Sequence, residues 1–373
     1  MFIPPYVVSA VVAWFVTYWT TPTARWIARR TGAVDYPGGR RINRRPLPRL
    51  GGIALFCGIF LSAVLTLPLP GPIALVREPK YFVLAIPYGP VDGRLLGVIL
   101  GAVAITALGV VDDLRQLSGR TKFPLIYLAA AVPVFFGVTT PFLTNPITGN
   151  LVPLGVWGHL FTVAWVGSAA IAMNSIDGVD GLAAGIAAIV AATFFAAATA
   201  LRSGPGILAL CAAVVGSCVG FLRYNFNPAR VIMGDGGALL LGYLLGAISV
   251  VGMFKTLTLI SLAVPLMAMG IPIFDTALAV VRRLRKGVPV FQPDREHLHH
   301  RLLDRGLSQR QTVFLLYGLS ALLAVLALWI AGSVRPEVSV LLALGLGGSL
   351  WLSAWRLGLL HRTRTRGSEI SQT

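Results

Sequence analysis

The sequence predicts an all-α integral membrane protein, a bundle of about eleven transmembrane helices with its N-terminus outside and its C-terminus in the cytoplasm. Three observations predict this. Of 373 residues, 56% are hydrophobic and only 12% are charged. Mostly apolar runs of about 20 residues recur along the chain, the length a helix needs to cross a bilayer. The basic residues are spread very unevenly between the segments that join those runs.

Each run reads as a helix because backbone groups in lipid must be satisfied within their own segment. Alternating strands of a membrane barrel are not visible. The expected spans are 6–26, 51–70, 94–111, 123–139, 155–173, 182–201, 206–222, 236–252, 256–275, 312–332 and 336–355. The fourth is short and holds Pro133. Cys57, Cys211 and Cys218 all fall inside spans, where apolar packing is their expected role, and no paired-Cys metal spacing occurs. The start, Met-Phe-Ile-Pro-Pro, lacks the basic region of a cleavable signal, so the first span is expected to be retained. One transmembrane domain over 1–373 is expected, with a cytoplasmic loop at 282–311 and a disordered basic tail at 357–373. Within the loop, prolines favour an extended stretch over 287–293. Asp294 can then cap a short helix carrying Glu296 to Arg305, closed by Gly306.

Lys and Arg in short loops mark the cytoplasmic side. Of the 31 basic residues, all but Arg77, Lys80, Arg94, Arg202, Lys255 and Arg335 fall in odd-numbered loops or the tail. Among the 14 acidic residues, Asp112, Asp113, Asp177, Asp180, Asp235, Asp275, Asp294, Glu296 and Asp304 share that face. The net charge of +17 is therefore mostly a cytoplasmic rim. Such a rim follows from the positive-inside rule and anionic headgroups, and it also suits a funnel for a polyanionic substrate.

Ionisable residues beside lipid are costly, so each polar stretch on that face is a candidate for function. Asp112 and Asp113 close the third span. Adjacent carboxylates in a low dielectric repel, which suits a divalent metal or an acid/base role. An interfacial pair tied to Arg115 or Lys122 would read the same way. In Asn174-Ser-Ile-Asp177-Gly-Val-Asp180-Gly181, the glycines argue for a tight loop with free amides, and the oxygen-rich side chains suit Mg²⁺ or a nucleotide. A polar hairpin tip is the plainer alternative. Gly234-Asp235-Gly236-Gly237 opens a helix whose N-terminus favours phosphate, and Asp235 there could hold a metal bridging a diphosphate or merely cap the helix. Asp275 precedes a basic run, with a salt bridge to Arg282 or Arg283 as its ordinary role. His297, His299 and His300 cluster among arginines, which fits phosphate contact better than a transition metal, while a solvated helix face is the plain reading. No Cys nucleophile, Gly-x-Ser-x-Gly elbow or Walker-type lysine is present. The set favours Mg²⁺-assisted transfer between a phosphorylated soluble donor and a membrane-embedded acceptor.

These motifs, in this order, resemble the polyprenyl-phosphate N-acetylhexosamine-1-phosphate transferases of glycosyltransferase family 4, in the WecA/TagO branch. The resemblance rests on Asp35-Tyr-Pro, Arg40-Arg41, Pro48-Arg49-Leu50-Gly51-Gly52 and Val111-Asp112-Asp113-Leu114. It continues through Asn174 to Leu182, Asn225 to Asp235, Pro272 to Thr276 and Pro293-Asp-Arg-Glu-His-Leu-His-His-Arg-Leu302. It implies transfer of a sugar 1-phosphate, most often GlcNAc-1-phosphate, from a UDP-sugar to polyprenyl phosphate, with release of UMP. This would be the first membrane step of cell-envelope polysaccharide synthesis, on the cytoplasmic face of a bacterial inner membrane. By motif, Asp112, Asp113, Asp177 and His297 would be catalytic, with Asp112 the base if one is needed. Asp235, joined by Asp113, would hold Mg²⁺, with Mn²⁺ as an alternative. Asn174 would border the diphosphate, and Asp180 and Asn225 would lie near the uridine. Lys122, His299, His300, Arg49 and Arg295 would bind phosphates or sugar. Implied partners are a UDP-N-acetylhexosamine, the polyprenyl phosphate carrier and membrane lipids, with a homodimer allowed and no nucleic acid. Asn43 stands where His is frequent, Ile232 where an aromatic is frequent, and Gly236 and Ala238 replace hydroxyl residues. The peptidoglycan relatives, phospho-N-acetylmuramoyl-pentapeptide transferases, tend to carry three consecutive histidines in the last motif and are the same-class rival. A cation-coupled transporter is the rival from another class. Its carboxylates would sit at the midplane on broken helices, often with inverted repeats, whereas here they lie at one face and no repeat is visible. A lipid-binding scaffold would leave the Asp-rich loops unexplained.

Overall fold

The computed structural model describes residues 4–37, 45–66, 74–78, 81–86, 89–91, 93–144, 150–252, 260–289 and 297–333. Helices dominate them: α1 (Pro5–Thr31), α2 (Gly51–Thr66), α3 (Gly93–Arg115), α4 (Gly119–Phe135), α5 (Val156–Ile176) and α6 (Leu182–Ala200). Then follow α7 (Pro205–Asn225), α8 (Gly234–Gly252), α9 (Ile260–Ala268), α10 (Gly270–Arg285), α11 (Leu298–Asp304) and α12 (Gln309–Ser333). Six of these are long and apolar enough to cross a membrane: α3, α5, α6, α7, α8 and α12. The chain is a multi-pass, mostly helical membrane protein. The eleventh expected span and the basic tail lie outside the described residues, as do Asp294, Arg295 and Glu296.

Helix α8 is the centre of the bundle. All its residues but Asp235 are buried, and α2, α3, α5, α6 and α7 pack around it. Small residues allow this. A methyl at Gly242 would overlap α5, and α7 meets α1 through Gly216 and Gly220. With no hydrophobic drive between helices in lipid, close backbone approach and polar contacts do the joining. Helices α1, α2 and α7 are tied by Ser9 to Ser62 (2.6 Å) and Thr17 to Ser217 (2.7 Å).

Four departures from the expected elements have physical causes. The ninth expected span is broken at Met269 into α9 and α10, between Pro265 and Pro272, neither of which can donate a helical hydrogen bond. Helix α3 runs four residues past its expected end, so Asp112 and Asp113 lie in its last turn rather than after it. Helix α4 starts at Gly119, which places Lys122 in its first turn. Three small antiparallel sheets qualify the all-α reading: Val34–Asp35 with Leu47–Pro48, a three-stranded sheet over Ala74–Glu78, Tyr81–Ile86 and Gly89–Val91, and Phe142–Thr144 with Leu151–Pro153. The short loop helix spans Leu298–Asp304 with His297 at its cap position, and Gly306 (φ +91°) follows it.

Candidate active site

The site is built on the N-terminus of α8. Gly234 adopts φ +67°, a conformation that favours glycine, and turns the chain into the helix. The first amides of a helix lack internal partners. Here Asp113, from the last turn of α3, supplies them: Oδ1 accepts from the Asp235 amide (3.0 Å) and Oδ2 from the Gly236 amide (3.1 Å). Arg49 grips the same carboxylate through Nε (3.0 Å) and Nη2 (2.9 Å), and its Nη1 lies 4.0 Å from Asp35. Gly52 and Gly109 let α2 and α3 come this close, because a methyl at either would overlap the backbone of Gly236 or Gly237.

A second layer sits on this frame. Asp112 Oδ2 accepts from Lys122 Nζ at 2.8 Å, and its Oδ1 accepts from the Leu117 amide at 2.6 Å. The same ammonium donates to Asp235 Oδ2, and Asn174 Nδ2 donates to Asp235 Oδ1 at 2.8 Å. Of the two expected cations, Arg115 and Lys122, it is Lys122 that holds Asp112, while Asp113 is held by Arg49, which was not expected there. Asp177 follows α5 and is half-buried. Its carboxylate takes no hydrogen bond from a described residue. Burial first, then the carboxylates of Asp235 and Asp113, push its carboxyl up to about 8.

The histidines reach the same turn from another direction. Asp275, fully buried on α10, accepts from the Leu298 amide through Oδ1 (2.8 Å) and pairs with His297 Nδ1 through Oδ2 (2.8 Å). The expected salt bridge from Asp275 to Arg282 or Arg283 is thus replaced by a bond that anchors α11. His299 is buried against the Asp177–Gly178 turn, where a methyl on Gly178 would overlap its ring. Its Nε2 is buried without a hydrogen-bond partner. Burial, then neighbouring His300, lowers its imidazole to about 3, so the ring is neutral at ordinary pH. The His300 ring lies 4.4 Å from that of His299.

Asp180 and Asn225, expected near the uridine, both bond to neighbouring protein groups. Asn225 is buried and uses both ends of its amide: Oδ1 accepts from the Gly181 amide (3.1 Å) and Nδ2 donates to the Val231 carbonyl (3.0 Å). Asp180 Oδ2 accepts from Asn227 Nδ2 and the Ala229 amide, both at 3.0 Å. Asn227 also donates to Gln309 on α12 (2.6 Å), and Tyr317 on α12 donates to the Gly181 carbonyl (2.6 Å). Sequence reasoning missed Asn227, Gln309 and Tyr317 as parts of the site, and for Asp275, though it stood in a quoted motif, it offered only a salt bridge to Arg282 or Arg283. Asn227 stood inside a quoted motif. The two α12 residues carry no local signal.

The donors suit a hard divalent cation. Asp235 and Asp177 offer carboxylate oxygens, Asn174 lies beside them, and the Lys122 ammonium already sits as a cation between Asp112 and Asp235. Among the described residues, no three His, Cys, Asp or Glu side chains close into a metal cage. A cation such as Mg²⁺ is typically held by one or two carboxylates together with water and substrate phosphates. Asp113 is tied to the frame by two α8 amides and Arg49, whereas Asp235 is held by the side chains of Lys122 and Asn174, which can exchange for a cation.

Comparison with known proteins bears on what this arrangement serves. Residues 95–253, which carry Asp112 to Asp235, match the family model described as glycosyl transferase family 4. The chain is 36% identical over 324 residues to a Bacillus subtilis protein named a probable undecaprenyl-phosphate N-acetylglucosaminyl 1-phosphate transferase, covering 86% of this chain and 84% of the relative. The chain belongs to glycosyl transferase family 4. Two other relatives also match over most of the chain. The Mycolicibacterium smegmatis decaprenyl-phosphate N-acetylglucosaminephosphotransferase is 36% identical, over 81% of this chain and 76% of its own. The Escherichia coli undecaprenyl-phosphate alpha-N-acetylglucosaminyl 1-phosphate transferase is 28% identical, over 92% and 90%.

Proposed function

We infer that this chain transfers GlcNAc-1-phosphate from UDP-GlcNAc to a polyprenyl phosphate, releasing UMP, at the cytoplasmic face of a bacterial membrane. The observation that carries the reading is convergence: Asp112, Lys122, Asn174, Asp177 and Asp235 come from separate stretches of chain and meet at the N-terminus of α8. A helix N-terminus with a lysine and a neighbouring arginine suits a diphosphate. The names of the relatives supply the donor and acceptor classes.

In this mechanism an oxygen of the ionised lipid phosphate attacks the β-phosphorus of the sugar nucleotide. A new phosphorus–oxygen bond forms, the bond bridging to the α-phosphate breaks, and UMP leaves with the electron pair. The acceptor phosphate is already anionic near neutral pH, so the reaction needs no proton abstraction and no covalent enzyme intermediate. Positioning and charge neutralisation are what phosphoryl transfer requires. Asp235 and Asp177 would hold Mg²⁺, which when bound neutralises charge on the diphosphate oxygens. Lys122, oriented by Asp112, turns its ammonium to the phosphates. Asn174 holds the Asp235 carboxylate in place. Asp113 and Arg49 fix the first turn of α8, and Asp275 and His297 fix α11 so that His299 stays on the Asp177 turn.

A donor panel tests the reading. Purified protein in detergent with polyprenyl phosphate and Mg²⁺ is given UDP-GlcNAc, UDP-GalNAc or UDP-N-acetylmuramoyl-pentapeptide, and lipid products are weighed by mass spectrometry. A polyprenyl diphosphate GlcNAc product is expected. Product from the pentapeptide donor alone would move the chain to the rival branch.

A further inference from the structure

A second cluster of charge lies on the outer side of α1, away from the carboxylates. Arg25 is within electrostatic reach of Arg29, one helical turn on, and of Arg230 from the loop before α8. Its Nε–H is buried and has no hydrogen-bond partner. Neither Arg25, Arg29 nor Arg230 forms an ion pair among the described residues. Arg25 is partly buried while Arg29 and Arg230 are exposed, so three like charges face one another at the surface and one occluded Arg25 N–H lacks an acceptor. An anion between them would relieve both costs.

The surroundings say what kind of anion. Arg30 lies 4.0 Å over the ring of Trp26, which is exposed, as is Trp19 two turns earlier. Tryptophan on an outward face marks the headgroup level of a bilayer. The exposed face of α1 continues through Phe15, Val11 and Val8, an apolar track leading from the arginines along the helix. On the other side, the Tyr18 and Tyr224 rings lie 5.5 Å apart and close the gap to α7. A free phosphate would have no use for the apolar track. A phosphate carrying acyl chains would occupy both parts.

We propose that Arg25, Arg29 and Arg230 bind the headgroup phosphate of an anionic phospholipid, with its acyl chains along the exposed face of α1. The site is distinct from the catalytic one, whose basic residues are Arg49 and Lys122. It would tie the end of α1 to the loop that leads into α8, since Arg230 lies five residues before Asp235.

The test uses full-length protein in nanodiscs of phosphatidylcholine containing a minor fraction of phosphatidylglycerol. Bound lipid is counted by native mass spectrometry after release. The parent should retain a phosphatidylglycerol that the Arg25→Gln/Arg230→Gln variant holds about tenfold or more weakly. A control, Arg115→Gln/Arg120→Gln, removes equal charge from two exposed positions and should retain the lipid as the parent does. Arg25→Lys keeps the charge and removes only the buried Nε donor, so a smaller but measurable loss is expected, and it stands in should the double variant fold poorly. Equal retention by parent, Arg25→Lys and double variant overturns the site. So does an equal loss in the control, which would show general surface attraction. Inorganic phosphate at millimolar concentration should not displace the lipid; displacement would reassign the arginines to free phosphate.

Discussion

Asp113 spends its carboxylate on two helix amides and a guanidinium, a role closer to scaffold than to chemistry. Asp113→Ala removes a helix cap worth about 0.5–2 kcal/mol and leaves Arg49 without its main partner. The expected outcome is a lower melting temperature together with lost transfer activity, read by thermal unfolding in detergent and by UMP release. Were Asp113 a metal ligand alone, activity would vanish with melting unchanged. His299 makes a separate claim, about pH. Its imidazole is lowered in the folded protein from 6.5 to about 3 by burial and His300. The unfolded chain therefore binds the extra proton first, and stability falls as pH drops below 6.5 towards 3. Melting temperature should decline from pH 7.5 to 5, and less steeply in His299→Phe. Parallel profiles for the two proteins would show that another group governs acid sensitivity.

At the scale of elements, α12 reaches the site through Tyr317 and Gln309. The Gly181 peptide is held at its amide by Asn225 and at its carbonyl by Tyr317, which fixes the turn carrying Asp177. Tyr317→Phe removes one hydrogen bond of about 0.5–1.5 kcal/mol. We expect kcat to fall several-fold with KM for UDP-GlcNAc little changed, because Asp177 shifts while the nucleotide contacts stay. A change in KM alone would place Tyr317 at the substrate instead. Most helices were legible in the sequence, since α5 to α8 follow the length and composition of their apolar runs. The end of α3 was not. Asp112, Asp113 and Arg115 look like a stop to local reading, yet the helix continues because Lys122 in the next helix satisfies Asp112 and the α8 amides, far along the chain, satisfy Asp113. The break at Met269 was legible in principle from Pro265, Gly270 and Pro272, but the run of apolar residues on either side hid it.

For the whole molecule, the candidate site was legible as a set of residue types and illegible as a geometry. Asp112, Asp177 and Asp235 stood out because carboxylates beside apolar runs are costly. Asp235 is clamped by Lys122 and Asn174, 113 and 61 residues away, and no local pattern encodes that. The central claim is that these groups form one pocket that transfers a sugar phosphate. Its most direct test is UMP release from UDP-GlcNAc by purified protein supplied with polyprenyl phosphate, with Mg²⁺ or with EDTA, for the parent and for Asp235→Asn. The account predicts one UMP for each polyprenyl diphosphate sugar in the parent, loss of turnover in EDTA, and a rate at least about a hundredfold lower in Asp235→Asn. Turnover in Asp235→Asn equal to that of the parent, or no UMP from the parent with Mg²⁺ present, would contradict it.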